Sequence, residues 1–300
     1  MCKKEKALGQ GEFVKFGITL FTSDRGIGPA SAARGAEANG FDSFYVPEHT
    51  HIPVKRDAAH PQTGDGSLPD DRYMRTLDPW VALASASAVT ERIELGTSVA
   101  LPVEHDAITL AKTIASLDHL SGGRVTLGVG YGWNLDELTD HNVPPARRRT
   151  MLREYLEAMR ALWTQDEASY DGEFVNFGPS WAWPKPARVP PVIVGAAGND
   201  KNFRWIVKSA DGWMTTPIEQ DIDDRVVTLR RMWREAGRDG EPRIVVLDGK
   251  PDVDKLRRWK GLGVTEVVYG LPDRSEEEVL AYLGRLSGKL EGLRESTAVR

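Results

Sequence analysis

Gly122-Gly-Arg-Val-Thr-Leu-Gly-Val-Gly-Tyr-Gly-Trp133 is the stretch on which the fold of this chain turns. Val125, Leu127 and Val129 alternate as in a short buried strand. Gly128, Gly130 and Gly132 then strip side chains from its C-terminal end. Without Cβ atoms there, a flat ligand or another stretch of backbone can come close. Trp133 follows where the strand opens into a loop. A dinucleotide fingerprint would need Gly-x-Gly-x-x-Gly opening a helix, and Pro144 and Pro145 delay the helix here.

The stretch gains its meaning from a series. Before it come strands at residues 14–20, 43–46 and 93–99, with helices at 29–39, 78–90 and 106–120. Gly40 stops the first helix, and Asp78 with Pro79 starts the second. Between them lies a long irregular loop, 47–76, rich in Pro, Gly, Asp and His; loops of that length in a compact domain are usually functional. After the stretch, residues 146–163 carry Met151, Leu152, Tyr155, Leu156, Met159, Leu162 and Trp163 at helical spacing, which predicts a helix packed on a sheet. A hairpin around Asp171-Gly172 follows. Strands at 192–195, 212–215, 243–247 and 264–269 then alternate with helices at 199–209, 221–236, 252–260 and 275–290. Ser275 and Glu278 form a capping box for the last helix.

Eight strand–helix units predict a (β/α)8 TIM barrel, whose usual length is about 250 residues. The alternative is a doubly wound open sheet, which usually has fewer strands. The barrel would occupy residues 13–290 as one domain, with insertions after strands two and four, a disordered tail at 1–12 and a C-terminal tail at 291–300. A net charge of −5 without a basic run argues against nucleic acid as a partner. Cys2 is the only cysteine, so neither an intrachain disulfide nor a cysteine-rich metal site can form. No apolar run approaches the ~18 residues of a membrane span, and the polar N-terminus lacks a secretory core. The expectation is a cytoplasmic protein acting on a small molecule, without membrane or nucleic-acid partners.

Barrel sites form where strands end at their C-terminal side. Those positions hold Glu48, His49 and His51; Ser98, Val99 and Ala100; Gly130, Tyr131, Gly132 and Trp133; Ala196, Ala197, Gly198 and Asn199; and Thr215 and Thr216. The set is apolar, glycine-rich and hydroxyl-bearing, which suits a planar cofactor more than a metal. His49-x-His51 supplies only two ligands where zinc wants at least three from the protein, so no metal is expected. His51 reads as a solvated loop residue, whereas His49 at the strand mouth suits either a structural hydrogen bond or proton transfer. Gly195-Ala-Ala-Gly-Asn199 leads from strand to helix and suits either a phosphate or a tight capped turn. Arg124, at the opposite end of its strand, reads as structural.

Gly96-Thr-Ser-Val99, Ser121-Gly-Gly-Arg-Val-x-Leu-Gly-Val-Gly130, Tyr170-Asp-Gly-Glu-Phe and Asp211-Gly-Trp213 together resemble the luciferase-like monooxygenase superfamily. In particular they resemble its oxidoreductases that use the deazaflavin coenzyme F420. The resemblance runs from about residue 14 to residue 269. It implies a barrel with the cofactor ring across the strand mouths and a homodimer. Glu48 and His49 match an acidic–His pair in which, in sugar-phosphate dehydrogenase relatives, the acid contacts cofactor and the histidine is catalytic, so both are candidates for catalysis here. Ser98 and Val99 match a bulged cis peptide behind the ring, continued by Ala100. Gly130, Tyr131, Gly132 and Trp133 match the loop beside it, which makes Trp133 a further candidate for catalysis. Ala196, Ala197, Gly198 and Asn199, with Thr215 and Thr216, match the segments on the cofactor's phosphate side.

The chain departs from the sugar-phosphate dehydrogenases of that family at two points. Trp133 stands where they carry an acid–base Glu, and Thr216-Pro-Ile-Glu219 stands where they carry a phosphate-holding Lys. A bulkier or more apolar substrate is expected. The alternatives are an FMN-dependent monooxygenase and a flavin-binding barrel without turnover. A deazaflavin has carbon where flavin has N5, so it carries hydride and leaves the protein to position and desolvate.

Overall fold

The computed structural model describes residues 14–216 and 218–298. Strands β1 (Lys15–Thr19), β2 (Ser43–Val46), β3 (Glu94–Thr97) and β4 (Val125–Gly130) form the first half of a barrel. A hairpin of β5 (Ala168–Asp171) and β6 (Asn176–Ser180) interrupts the series, and β7 (Val192–Gly195), β8 (Gly212–Met214), β9 (Arg243–Asp248) and β10 (Glu266–Gly270) complete it. The barrel closes in the order β1-β10-β9-β8-β7-β4-β3-β2, and all its neighbours are parallel. This is the (β/α)8 barrel that the spacing predicts.

The outer layer holds α1 (Pro29–Ala38), α2 (Pro79–Ser87), α3 (Ala107–Ser121), α4 (Leu135–Asp140) and α5 (Arg148–Thr164). It continues with α6 (Asp200–Ser209), α7 (Ile222–Glu235), α8 (Val253–Leu262) and α9 (Glu276–Ala298). Capping works as the sequence suggests: Asp78 accepts from the Val81 amide, and Ser275 and Glu278 bond each other reciprocally. The predicted apolar stripe of α5 is buried throughout. Helix α9 runs on to Ala298, past the end expected for it at residue 290. The tail at 1–12 lies outside the described residues. Among the described residues no helix is long and apolar enough to cross a membrane.

Two apolar layers result. Tyr45, Ile193, Met214, Val245 and Val268 fill the barrel interior, while the larger core lies between strands and helices. At the N-terminal end of the strands Arg243 lies 3.1 Å from Glu94 and 3.4 Å from Glu266, and Tyr45 donates to Glu266 at 3.2 Å. Burial drives the Glu266 carboxyl upward in pKa, against the pull of Arg243. Arg124 is structural, donating to the carbonyls of Ser121, Ile93 and Thr90.

The glycines of β4 serve contact between strands. A Cβ on Gly128 would run into the Thr97 carbonyl oxygen of β3, which leaves no room for even one methyl group. Gly128→Ala is therefore expected to destabilise the chain by about 1–3 kcal/mol through overpacking. Urea unfolding of the variant would check this; a midpoint equal to that of the parent chain would contradict it.

Candidate active site

The mouth of the barrel is shaped first by a bulge after β3. The Ser98 amide donates to Val46 O at 2.8 Å, and Ala100 exchanges backbone bonds with Gly128 and Gly130 of β4. Ser98 and Val99 thus leave the ladder with β4, where Ala100 rejoins it, while Val99 O still accepts from the Glu48 amide beyond β2. The Ser98–Val99 peptide is cis, as the family resemblance implies. Ser98 Oγ lies 2.8 Å from Thr19 Oγ1. A Cβ on Gly130 would stand 2.6 Å from Val99, and one on Gly195 2.5 Å from it. The bare strand ends make room for this valine.

His49 follows β2 directly. Its Nδ1–H donates to Glu137 Oε2 at 2.8 Å, and the Thr50 amide donates to Glu137 Oε1 at 3.0 Å. The Glu137 side chain is wholly buried. Fixing Nδ1 as the donor leaves Nε2 as the nitrogen that accepts a proton. Among the described residues Nε2 has no hydrogen-bond partner. Glu137 arrives on α4, which the sequence reading missed; Asn134 caps that helix by accepting from the Glu137 amide. The turn into it passes Gly132, whose φ is 75° and where a Cβ would meet Leu138 at 2.9 Å.

The long loop after β2 folds over the mouth as a lid, and a 3-10 turn at Asp71–Arg75 carries Tyr73 into it. Arg75 pairs with Asp24 at 2.8 Å, Arg25 with Asp71 at 2.9 Å, and the Asp57 and Ala58 amides donate to Asp136 of α4. Beneath it the Tyr73 ring lies 4.7 Å from Phe21, 5.5 Å from His49 and 6.5 Å from Trp133. Trp133 stands edge-on to His49 at 5.7 Å and to His60 at 4.7 Å. Trp133 therefore forms part of an aromatic wall around His49. His51 lies at the rim, half-exposed and bonded to Asp140.

Glu48 is buried, and both its oxygens are engaged. Oε2 accepts from the Leu101 amide and Oε1 lies on His105 Nε2, each at 2.6 Å. Burial opposes charge on His105, but the Glu48 bond outweighs it and raises the imidazole pKa. Glu48 thus anchors the turn that follows the Ser98–Val99 bulge. Beside it Glu104 is buried with one oxygen unpartnered among the described residues, and with Thr50 Oγ1 3.5 Å from the other. Burial, with the Glu137 and Glu48 carboxylates nearby, pushes Glu104 up to about 9.

On the opposite side of the mouth, Gly198 donates its amide to Glu219 Oε2 at 2.8 Å. A carboxylate of the chain itself thus sits where the sequence reading places a phosphate oxygen. Asn199 caps α6, its own amide bonded back to Ala197 O. Ala196 O accepts from the Trp213 indole, and the Thr215 hydroxyl accepts from the Leu247 amide. Thr216 O accepts from the Glu219 amide at 3.1 Å. Tyr131 turns aside to pack on Trp205 and beneath Arg149.

Contacts thus bring His49 and Trp133 together with Glu137, His60 and Tyr73; Val99 of the bulge packs against Gly130 and Gly195, and the Gly198 amide is bonded to Glu219. Asn134-x-x-Glu137 is a capping pattern that could have revealed α4. No local signal marks His60 or Tyr73.

Residues 30–251 match the family model described as luciferase-like monooxygenase. An uncharacterised protein of Mycobacterium tuberculosis is 71% identical over 276 residues, covering 92% of this chain and 98% of that protein. An F420-dependent glucose-6-phosphate dehydrogenase of Nakamurella multipartita is 30% identical over 84% of this chain and 74% of its own length. Among solved structures, an F420-dependent secondary alcohol dehydrogenase with a bound F420–acetone adduct shares the fold at a TM-score of 0.70 and 18% identity, over 92% of this chain and 98% of its own.

Glu104 yields a pH prediction. A carboxyl whose pKa is raised by folding holds its proton more tightly folded than unfolded. Its cost is absent below the unfolded pKa of about 4.3 and grows as pH rises toward the folded value. Glu104→Gln should therefore resist urea better than the parent chain near about pH 8, with the gap closing near about pH 5. Equal midpoints at the higher pH would show that the fold does not hold this carboxyl neutral.

Proposed function

Because the chain belongs to the luciferase-like monooxygenase family, we propose that it is an oxidoreductase that uses coenzyme F420 to move a hydride to or from a neutral organic substrate. The observation that carries this reading is His49, held at Nδ1 by buried Glu137, with Nε2 left open beneath an aromatic wall. The F420-dependent relative supports the deazaflavin.

The residues present fit such a cofactor. The Gly198 amide already binds an anionic oxygen from Glu219, so the same donor suits a phosphate. Gly198 and Thr216 would hold that side, while Val99 and Ala100 would back the ring. When bound, F420 supplies a carbon centre that gives or takes hydride. The chain supplies the proton chemistry. His49 Nε2 takes the proton of a substrate hydroxyl as that alcohol is oxidised, or returns it in the reverse direction. Glu137 fixes the ring's orientation and stabilises the imidazolium. Tyr73, Trp133 and the ion-paired lid exclude water, which strengthens these interactions.

A sugar phosphate fits poorly. Trp133 offers no acid–base group, and Thr216-Pro-Ile-Glu219 carries no lysine to hold a substrate phosphate. Neutral secondary alcohols and ketones fit the apolar wall.

Titration of the purified chain with F420 and FMN in parallel tests the cofactor assignment. F420 is expected to bind more tightly, and tighter binding of FMN would favour a flavin monooxygenase instead. With F420 bound and a panel of secondary alcohols, His49→Ala should lower turnover by roughly 10²–10⁴ while cofactor affinity stays within a few-fold. Unchanged turnover would remove His49 from the mechanism.

A further inference from the structure

We propose that His60 binds the substrate oxygen: its Nε2–H donates to a neutral carbonyl or hydroxyl held beside Trp133 and Tyr73. The inference deepens the oxidoreductase reading above and rests on it for the identity of the site.

His60 is only 4% exposed, although it lies on a loop that is otherwise polar and largely open. Its Nδ1 accepts from the Gln62 amide at 3.1 Å. Burial disfavours a charge on the ring, and the nearby His49 and Arg56 act in the same direction. A neutral imidazole that accepts at Nδ1 carries its hydrogen at Nε2. That N–H has no partner among the described residues, and it is not one of the nitrogens sealed inside the fold, so a ligand can reach it.

Its surroundings connect it with His49. His60 lies edge-on to Trp133 at 4.7 Å and to Tyr73 at 4.9 Å. The same two rings lie 5.7 and 5.5 Å from His49. One imidazole presents an open acceptor and the other an open donor across shared aromatic neighbours. An alcohol matches both, because its hydroxyl donates to His49 Nε2 and accepts from His60 Nε2–H. After hydride loss the ketone oxygen keeps the second bond. In the reverse direction that donor favours the oxygen as negative charge develops on it.

The arginines in and against the lid agree with a neutral ligand. Arg25, Arg72 and Arg75 are paired with Asp71, Asp70 and Asp24. Arg56 spends its terminal nitrogens on the carbonyls of Pro53 and Gly66. Of these four only Arg56 has a nitrogen that is buried without a partner among the described residues, its Nε, and that atom lies away from the surface.

The test uses the full chain with ¹⁵N-labelled histidine, titrated with cyclohexanone both alone and with oxidised F420, a combination that cannot react. His60 signals, assigned by their loss in His60→Gln, should show a neutral ring protonated at Nε2 that shifts as the ketone binds. His60→Phe keeps an aromatic ring but no donor, and should raise the ketone Kd roughly 3–10-fold. His60→Gln, which restores an N–H, should recover most of that loss. A charged or Nδ1-protonated ring, an unchanged Kd in His60→Phe, or no ketone binding in either condition would overturn the proposal. Failure of F420 to bind counts against the cofactor reading, while the titration of the free chain still decides the role of His60.

Discussion

The hydrogen bond from His49 Nδ1 to Glu137 spans 88 residues of sequence in 2.8 Å, and the rest of the site depends on it. It ties the lid loop to a helix of only six residues, α4. Glu137 is buried, so removing its partner would leave an uncompensated charge or force a proton onto it, both costly. The same short helix holds the lid a second time, through Asp136 and the amides of Asp57 and Ala58. One element thereby sets the proton-accepting nitrogen and the loop that shields it.

The two ends of the barrel treat polar groups in opposite ways. At the N-terminal end Arg243, Glu94, Glu266 and Tyr45 satisfy one another around the last inward-facing side chains. That arrangement closes the barrel and offers nothing to a ligand. At the C-terminal end, among the described residues, His49 and His60 each keep a ring nitrogen without a partner beside the ones bonded at Nδ1, and Glu104 keeps an unpartnered oxygen. Mutually satisfied and open polar groups are thus divided between the two faces; sites in this architecture usually form at the C-terminal one. The Gly198–Glu219 bond lies between these cases, since it satisfies an amide with a carboxylate that a ligand anion would have to displace.

Much of the fold was legible because each strand is short, apolar and flanked by caps or glycines whose physics is local. Asp78, Ser275 and the stripe of α5 act in the structure as their spacing suggests. The bulge at Ser98–Val99 followed from family resemblance rather than from propensity. Gly130 left open whether a ligand or the chain itself comes close, and Val99 answers that question. Glu137 was hidden because Pro144 and Pro145 suggested a plain loop after Trp133. His60 and Tyr73 could not be read at all, since their meaning lies in ring contacts between a loop and the strand mouths. Glu48 took its role from the resemblance, yet its partners His105 and Leu101 lie more than fifty residues away.

The most direct test of the account is a crystal structure of the chain with oxidised F420. It should place the deazaflavin ring against the Ser98–Val99 bulge, with His49 Nε2 facing the substrate side of the ring. A phosphate oxygen should replace the Glu219 carboxylate on the Gly198 amide. A ring bound away from the bulge, or a His49 turned from it with Glu137 unpaired, would contradict the account.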